Sequence, residues 1–284
     1  MIREASTQDM EALRSLWKIV FDDDDAFLDS FFKYLFNPAE CLIYESEGHI
    51  VSMLFMLRAT RSSFQVDYPA RYIYACATHP NYRKKGIMGK LLEASIKYAD
   101  KNDIELVLVP ENDKLSAYYK CFGFTQTTYL YKRYYPSLNV QENNILWNVA
   151  NDMPINDLIE IMQTLRIQFN STNNIVHWPE SHLRVMLESF FLQGGKFLIM
   201  KNTSQLPIGY ALALQNEETV EIFECFSELP QNETILSLRN YYKNQPTTFY
   251  LSTDSGNNCA KMPFGLFYSK RLVSNSYLNL ALDF

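Results

Sequence analysis

Two stretches hold residue types that could bind an anionic cofactor and move a proton. The first is an apolar, β-rich run, Tyr72 to Ala77 (YIYACA), broken by Thr78-His79-Pro80-Asn81 and followed by Arg83-Lys84-Lys85-Gly86-Ile87-Met88-Gly89. This basic, glycine-bearing turn opens an amphipathic segment, KLLEASIKYAD, so the pattern predicts strand, turn and helix in succession. A helix start leaves several N–H groups without intrahelical carbonyls, and they converge where the helix dipole favours negative charge. Glycine at 86 allows a diphosphate to approach the backbone closely. Arg83, Lys84 and Lys85 add attraction for an anion, and each can equally be read as a solvated surface charge.

The second stretch begins at Ile104 to Pro110 (IELVLVP), a compact strand, and continues through Glu111-Asn112-Asp113 at a helix start into LSAYYKCFGF. It carries two adjacent phenols, Tyr118 and Tyr119. A phenol with a pKa of about 10 can protonate a thiolate whose conjugate acid has a pKa of about 8.5 at modest uphill cost. An aromatic side chain before a Gly-Phe turn is also an ordinary core residue.

These stretches need a scaffold, and the chain supplies one with an internal repeat. Its 284 residues, 47% of them apolar, suffice for one large domain or two of ordinary size. IREASTQDMEAL at 2–13 and WNVANDMPINDL at 147–158 each read as strand, turn and amphipathic helix, with Ala5 matching Ala150 and Leu13 matching Leu158. A second block follows in each half. FLDSFFKYLFNPAECLIYESEGHIVSML and HLRVMLESFFLQGGKFLIMKNTSQLPIGYALAL both read helix, strand, polar turn, strand, and Leu42, Ile43 and Tyr44 align with Leu198, Ile199 and Met200. The predicted boundary lies within 136–144, giving domains 1–138 and 139–284.

The segment THPNYRKKGIMGKLL resembles the signature loop of the GNAT superfamily of N-acetyltransferases, R/Q-x-x-G-x-G/A. Arg83 and Gly86 fit it. Met88 stands where a small residue is expected, and Gly89 follows. In the superfamily the second half of the cofactor site runs from an asparagine at a strand end through a helix to a tyrosine four residues before Gly-Phe; Asn112, Tyr119 and Gly123-Phe124 stand at those spacings. The resemblance implies a mixed, mostly antiparallel sheet flanked by helices, splayed between strands 72–78 and 104–110 to admit pantetheine. Two such α/β (α+β) halves, the second degenerate, resemble the tandem acetyltransferases of the enhanced-intracellular-survival type. VEIFECFSELPQNETILSLRNYY occupies the loop's place in the second half with no glycine and no basic turn, so no cofactor is expected there.

What the resemblance implies chemically is transfer of an acetyl group from acetyl-CoA to an amine by direct attack in a ternary complex. Tyr119 would be the general acid; Cys76, Ala77 and Thr78 would pair with pantetheine; Arg83, Lys84, Lys85, Gly86, Ile87, Met88, Gly89 and Asn112 would complete the cofactor site. For a general base, Glu111, His79 and the Phe284 carboxylate remain open. Asp22-Asp23-Asp24-Asp25 reads either as a helix cap with solvated charge or as a site for a polyamine or aminoglycoside-like cation. Trp178 and the aromatic-rich 169–197 region read either as a wall of the acceptor channel or as core.

The remaining features narrow the class. A net charge of −6 argues against a nucleic-acid partner. No long apolar run and no signal-peptide h-region occurs, so a cytoplasmic protein without a membrane partner is expected. Cys41, Cys76, Cys121, Cys225 and Cys259 show no metal spacing and are expected to be reduced thiols packed as small apolar groups, with no metal bound. A small-molecule or peptide amine is the acceptor that the resemblance implies. The competing reading is a non-catalytic module that binds or senses acyl-CoA.

Overall fold

A computed structural model of the chain describes residues 1–63, 66–137, 147–170, 174–243, 245–252, 259–273 and 276–279, with the side chains of 169 and 170 excepted. The first half runs β1 (Ile2–Glu4), α1 (Met10–Phe21), α2 (Asp25–Tyr34), β2 (Cys41–Ser46), β3 (His49–Ser63), β4 (Val66–Thr78), α3 (Ile87–Asn102), β5 (Glu105–Leu108), α4 (Asp113–Lys120) and β6 (Gln126–Tyr135). The second half runs β7 (Trp147–Val149), α5 (Ile155–Asn170), β8 (Ile175–His177), α6 (Glu180–Leu192), β9 (Lys196–Lys201), β10 (Pro207–Gln215), β11 (Val220–Ser227), α7 (Gln231–Tyr241), β12 (Thr247–Leu251) and β13 (Cys259–Tyr268).

Local chemistry explains the helices that border the site. Leu13, Leu16 and Trp17, spaced three and four apart, form the buried stripe of α1. Asp24 caps α2 by accepting the Phe27 N–H at 2.6 Å, and Phe27, Leu28, Phe31 and Phe32 then turn inward. Trp17, Phe31 and Phe55 pack as one aromatic cluster, with ring centres 4.6 to 5.7 Å apart.

The repeat read from the sequence recurs in backbone register. Ile2, Arg3 and Glu4 pair with Tyr44, Ile43 and Leu42, while Trp147, Asn148 and Val149 pair with Met200, Ile199 and Leu198. Ala5 N–H donates to the Cys41 carbonyl and Ala150 N–H to the Phe197 carbonyl, both at 2.8 Å. Each half also has one parallel contact of three rungs: Ala70, Arg71 and Tyr72 against Glu105, Leu106 and Val107, and Val220, Glu221 and Ile222 against Thr247, Thr248 and Phe249. All other strand pairs among the described residues are antiparallel.

The halves are joined by exchanged strands. The sheet order is β1-β2-β3-β4-β5-β13-β6-β12-β11-β10-β9-β7, so β13 enters between β5 and β6, and β6 between β13 and β12. One 13-stranded sheet results, with β8 pairing off this path to β3. Most of the 136–144 boundary segment lies outside the described residues. Two buried ion pairs brace the halves: Arg61 on β3 donates to Glu105 on β5 at 2.6 and 2.8 Å, and Arg166 on α5 donates to Glu224 on β11 at 2.5 and 2.6 Å.

β8 is a second seam, with His177 opposite Thr60. Burial, helped by nearby Arg166 and opposed by Asp67, lowers the half-buried His177 imidazole to about 4, so the folded protein holds it neutral where the unfolded chain protonates it near 6.5. Its contribution is therefore fully present above pH 6.5 and is lost as pH falls toward about 4. The melting temperature should fall across that window, and His177→Gln should flatten the fall; parallel melting curves for both proteins would assign the loss to other groups.

Cysteine packing is only partly as expected. Cys41 is buried, Cys76, Cys225 and Cys259 are half-buried, and Cys121 is exposed at the end of α4. There the thiol reaches the Ala117 carbonyl at 3.4 Å in place of a core partner, because α4 turns only Tyr119 into the protein.

Candidate active site

The parallel ladder between β4 and β5 ends at Tyr72 and Val107, and the strands then part. On the other edge of β4 the register with β3 slips between Met53 and Phe55, leaving an extra residue at Ala75–Cys76. Ala75 has φ +46, a left-handed conformation that alanine avoids unless its surroundings impose it. Such a bulge re-aims the local backbone groups. The gap opens into a cavity of about 420 Å³ lined by Tyr72 to Cys76, Leu108, Val109, Glu111, Leu115 and Tyr119, with Trp17, Phe21, Asp23, Asp24 and Phe27 opposite.

Strand β4 then ends in the basic turn. Thr78 and Ser52 hydroxyls meet at 2.9 Å, and Ser52 donates to the Ala77 carbonyl at 2.7 Å, so the strand end is fixed. Arg83 Nε donates to the Thr78 carbonyl at 3.1 Å and closes the turn, while the Lys85 ammonium lies 4.8 Å from the Tyr82 ring centre. Lys84 (φ +62) and Gly86 (φ +71) are both left-handed. Lys90 N–H to Gly86 C=O, 3.2 Å, is the first α3 bond, so the N–H groups of Ile87, Met88 and Gly89 precede the helical ladder. A side chain atom at Gly86 would meet nothing within 4 Å, leaving this backbone open to a ligand.

The departure at Met88 has a packing reason: its half-buried side chain rests on the core beneath α3, with Leu91, Leu92 and Tyr119 in the same cluster. Gly89 allows close helix packing, since a Cβ there would lie 3.0 Å from the Phe122 ring. Ile87 is buried at the same junction. Asn112 caps α4, its side-chain oxygen accepting the Leu115 N–H at 3.0 Å.

The two tyrosines of α4 diverge. Tyr119 is 8% exposed and lines the cavity, whereas Tyr118 is 36% exposed and packs on Phe122 at 5.1 Å, toward Gly89. Burial, with smaller contributions from Cys76 and Cys121, raises the Tyr118 phenol above its ordinary value. Cys76, Glu111 and Tyr119 thus share one cavity. His79 does not: its Nδ1 accepts the Asn81 N–H at 3.3 Å, and the ring lines a separate cavity beside α1 with His49 and Tyr82. Phe284 lies outside the described residues.

The aspartate run is divided by geometry. Asp22 ends α1 at φ +57, Asp23 accepts the Trp17 indole N–H at 2.7 Å, Asp24 caps α2 and Asp25 pairs with Lys18. Only Asp23 and Asp24 line the cavity. From the second half Ser189 and Gln193 reach it. Trp178 stays behind the wall, edge-on to Tyr72 at 5.4 Å and donating to the Asn279 carbonyl at 2.7 Å. Sequence reasoning missed the Ala75 bulge, which has no residue signature, and the Trp17 wall, which comes from a distant helix.

In the second half β11 and β12 also part after three rungs. The turn there is Ser227-Glu228-Leu229-Pro230, with Ser227 and Thr234 hydroxyls joined at 2.6 Å across it and an exposed carboxylate, Glu228, where the first half has its basic residues. Among the described residues no group of His, Cys, Asp and Glu could hold a metal ion, and no helix is long and apolar enough to cross a membrane.

Splayed parallel strands, a bulge at their edge and a basic turn leading into a helix, repeated in degenerate form, define a tandem GNAT fold. Residues 1–127 match the family described as acetyltransferase (GNAT) domain. Among solved structures, a GCN5-related N-acetyltransferase from Anabaena variabilis is similar over 94% of this chain and 72% of its own, with TM-score 0.74 and 14% identity. Eis1 from Mycobacterium abscessus is similar over 95% and 73%, TM-score 0.69, 12% identity. A tandem GNAT protein from the clavulanic acid biosynthesis pathway is similar over 94% and 98%, TM-score 0.55, 9% identity. No curated protein matches the chain by sequence. The fold supports acyl transfer from acyl-CoA to an amine.

Proposed function

We propose that the protein is an acetyl-CoA-dependent N-acetyltransferase with one active site, in the first half. The observation that carries this reading is the parting of β4 and β5 beside the Ala75 bulge, which opens a cavity walled by Tyr119. Pantetheine would lie in that gap against Cys76, Ala77 and Thr78, and the diphosphate against the N–H groups from Gly86 to Gly89, with Arg83, Lys84 and Lys85 supplying positive charge. Asn112 fixes the start of α4, and so the direction of Tyr119. The re-aimed backbone at Ala75 is suited to hold the carbonyl oxygen as it gains charge.

In the step itself the neutral amine nitrogen attacks the thioester carbon and a C–N bond forms. The C–S bond breaks, the sulfur takes the Tyr119 proton, and the amine proton leaves to a base or water. Positioning of donor and acceptor in one complex supplies much of the acceleration. Glu111 is the base candidate that shares the cavity with Tyr119. The carboxylates of Asp23, Asp24 and Glu111 suit a cationic acceptor, drawn from small-molecule or peptide amines. The unit we assign to residues 1–138 needs β13 from the second half to complete its sheet.

Calorimetric titration with CoA should give one site per chain, because the Glu228 turn offers a diphosphate repulsion instead of a basic cradle. Two equivalent sites would overturn the one-site assignment. Release of CoA thiol from acetyl-CoA in the presence of an amine tests the activity, and a chain that binds CoA but acetylates no amine would favour the sensing module.

A further inference from the structure

We infer that Tyr268, on β13 of the second half, is a positioning residue for the Tyr119 phenol in the first. This rests on the acyltransferase reading above, in which Tyr119 gives up the proton, and it gives the second half a part in that step. The helix that carries Tyr119 is fixed at its start by the Asn112 cap. At its end the chain turns back on Tyr119 itself, whose carbonyl accepts the N–H groups of Phe122 at 2.9 Å and Phe124 at 3.4 Å. Gly123 stands between those two at φ +91, and a Cβ there would lie 3.1 Å from the Tyr268 ring. The Tyr268 ring therefore packs directly on the backbone of the turn. It also meets the Phe124 ring at 5.9 Å between centres, and Phe124 meets Tyr119 at 6.2 Å. Three rings in series link β13 to the cavity wall.

The far end of that series is anchored. Phe267, next to Tyr268, pairs with Val107 on β5 and with Gln126 on β6. The Gln126 side-chain amide donates to the Ser269 and Arg271 carbonyls at 3.0 and 2.7 Å, and the Ser269 hydroxyl donates to Glu105 at 2.8 Å. The Tyr268 hydroxyl donates to Asp100 on α3 at 3.0 Å, so one side chain spans the two helices that flank the proposed cofactor site. Tyr119 and Phe124 are 8% and 0% exposed. In so closely packed a cluster, loss of the Tyr268 ring leaves a space into which Phe124 and the turn relax, and the phenol moves with them. A reacting group displaced by about 1 Å costs on the order of 10²-fold in rate.

The test is CoA thiol release by the full chain from acetyl-CoA, with whichever of spermidine, tryptamine and a lysine peptide the unaltered protein turns over fastest. Tyr268→Leu should lower kcat by about 10- to 10²-fold, with KM for acetyl-CoA within about twofold. Tyr268→Phe keeps the ring and should keep kcat. In a Tyr119→Phe background Tyr268→Leu should cost less than about twofold more, because the group it positions is gone. Arg271→Ala, which breaks the neighbouring pair with Asp103, should lower the melting temperature and leave kcat within about twofold. Should Tyr268→Leu not fold, Tyr268→Met takes its place, filling the space with a mobile chain. A normal kcat in the folded Leu or Met variant, an undiminished further loss in the Tyr119→Phe background, or an equal loss in Arg271→Ala overturns the positioning role and leaves the acyltransferase in place. A normal kcat in Tyr119→Phe, or no amine turned over by protein that binds CoA, overturns the underlying reading and this role with it.

Discussion

Tyr119→Phe should lower turnover by about 10²- to 10⁴-fold while leaving acetyl-CoA affinity nearly unchanged, the range for loss of a single general acid. The substitution keeps the ring, which is 8% exposed with its centre 6.2 Å from that of Phe124, and so keeps its packing in the cluster beneath α3. What disappears is the proton that the proposed mechanism delivers to the departing thiolate. That proton matters in the transition state and not in the bound ground state, so kcat falls and binding does not. Tyr118→Phe is the internal control. Its ring faces Phe122 and Gly89, outside the cavity lining, and its phenol is made a weaker acid by burial. Both variants should be measured with an accepted amine, alongside calorimetric affinity for CoA. A near-normal kcat in Tyr119→Phe, with product release shown not to limit turnover, removes Tyr119 from the mechanism; loss in Tyr118→Phe alone would move the role one residue back along α4.

Gly86→Glu should weaken CoA binding on the order of 10²-fold. Two unit charges 4 Å apart interact by about 4 kcal/mol at an effective dielectric of 20, close to a thousandfold, and an exposed side chain that can swing aside lowers the effect. The position also has φ +71, so any side chain costs roughly 1–2 kcal/mol of backbone strain, or a few degrees of melting temperature. Gly86→Gln separates the two causes. Glutamine meets the same backbone strain at nearly the same size, a Cβ there meets nothing within 4 Å, and no charge is added. Affinity should therefore fall far less in Gly86→Gln than in Gly86→Glu, with both variants folded. Equal affinities for Gly86→Glu and the unaltered protein would place the diphosphate elsewhere.

Parts of the site were legible because they are written in consecutive residues. A basic turn before an amphipathic helix, and a tyrosine four residues before Gly-Phe, are local patterns whose backbone consequences follow from capping and dipole physics. The structure keeps both, and it supplies reasons the pattern lacked: Gly89 is small because Phe122 lies against it, and Met88 is tolerated because it packs into the core. The repeat was legible for a related reason. Alternation and helical spacing fix which side of each element is apolar, and the matched residues pair in matched registers.

Sequence alone thus determined the order of elements, the repeat, the basic turn ahead of α3 and the tyrosine four residues before Gly-Phe. Tertiary structure alone decided which elements meet. Nothing in Cys259 to Tyr268 marks it as the strand that fills the first half's sheet, because partner choice in a sheet depends on which edges remain open once both halves fold. The Ala75 bulge arises from mismatch between two strands, so neither strand's residues announce it. Trp17, Tyr74 and Glu111 share a cavity although α1, β4 and the end of β5 are far apart in the chain, and His79, only five residues after Tyr74, faces another. Short-range rules of propensity and periodicity act over a few residues, whereas a cavity is made by the packing of elements brought together from the whole chain.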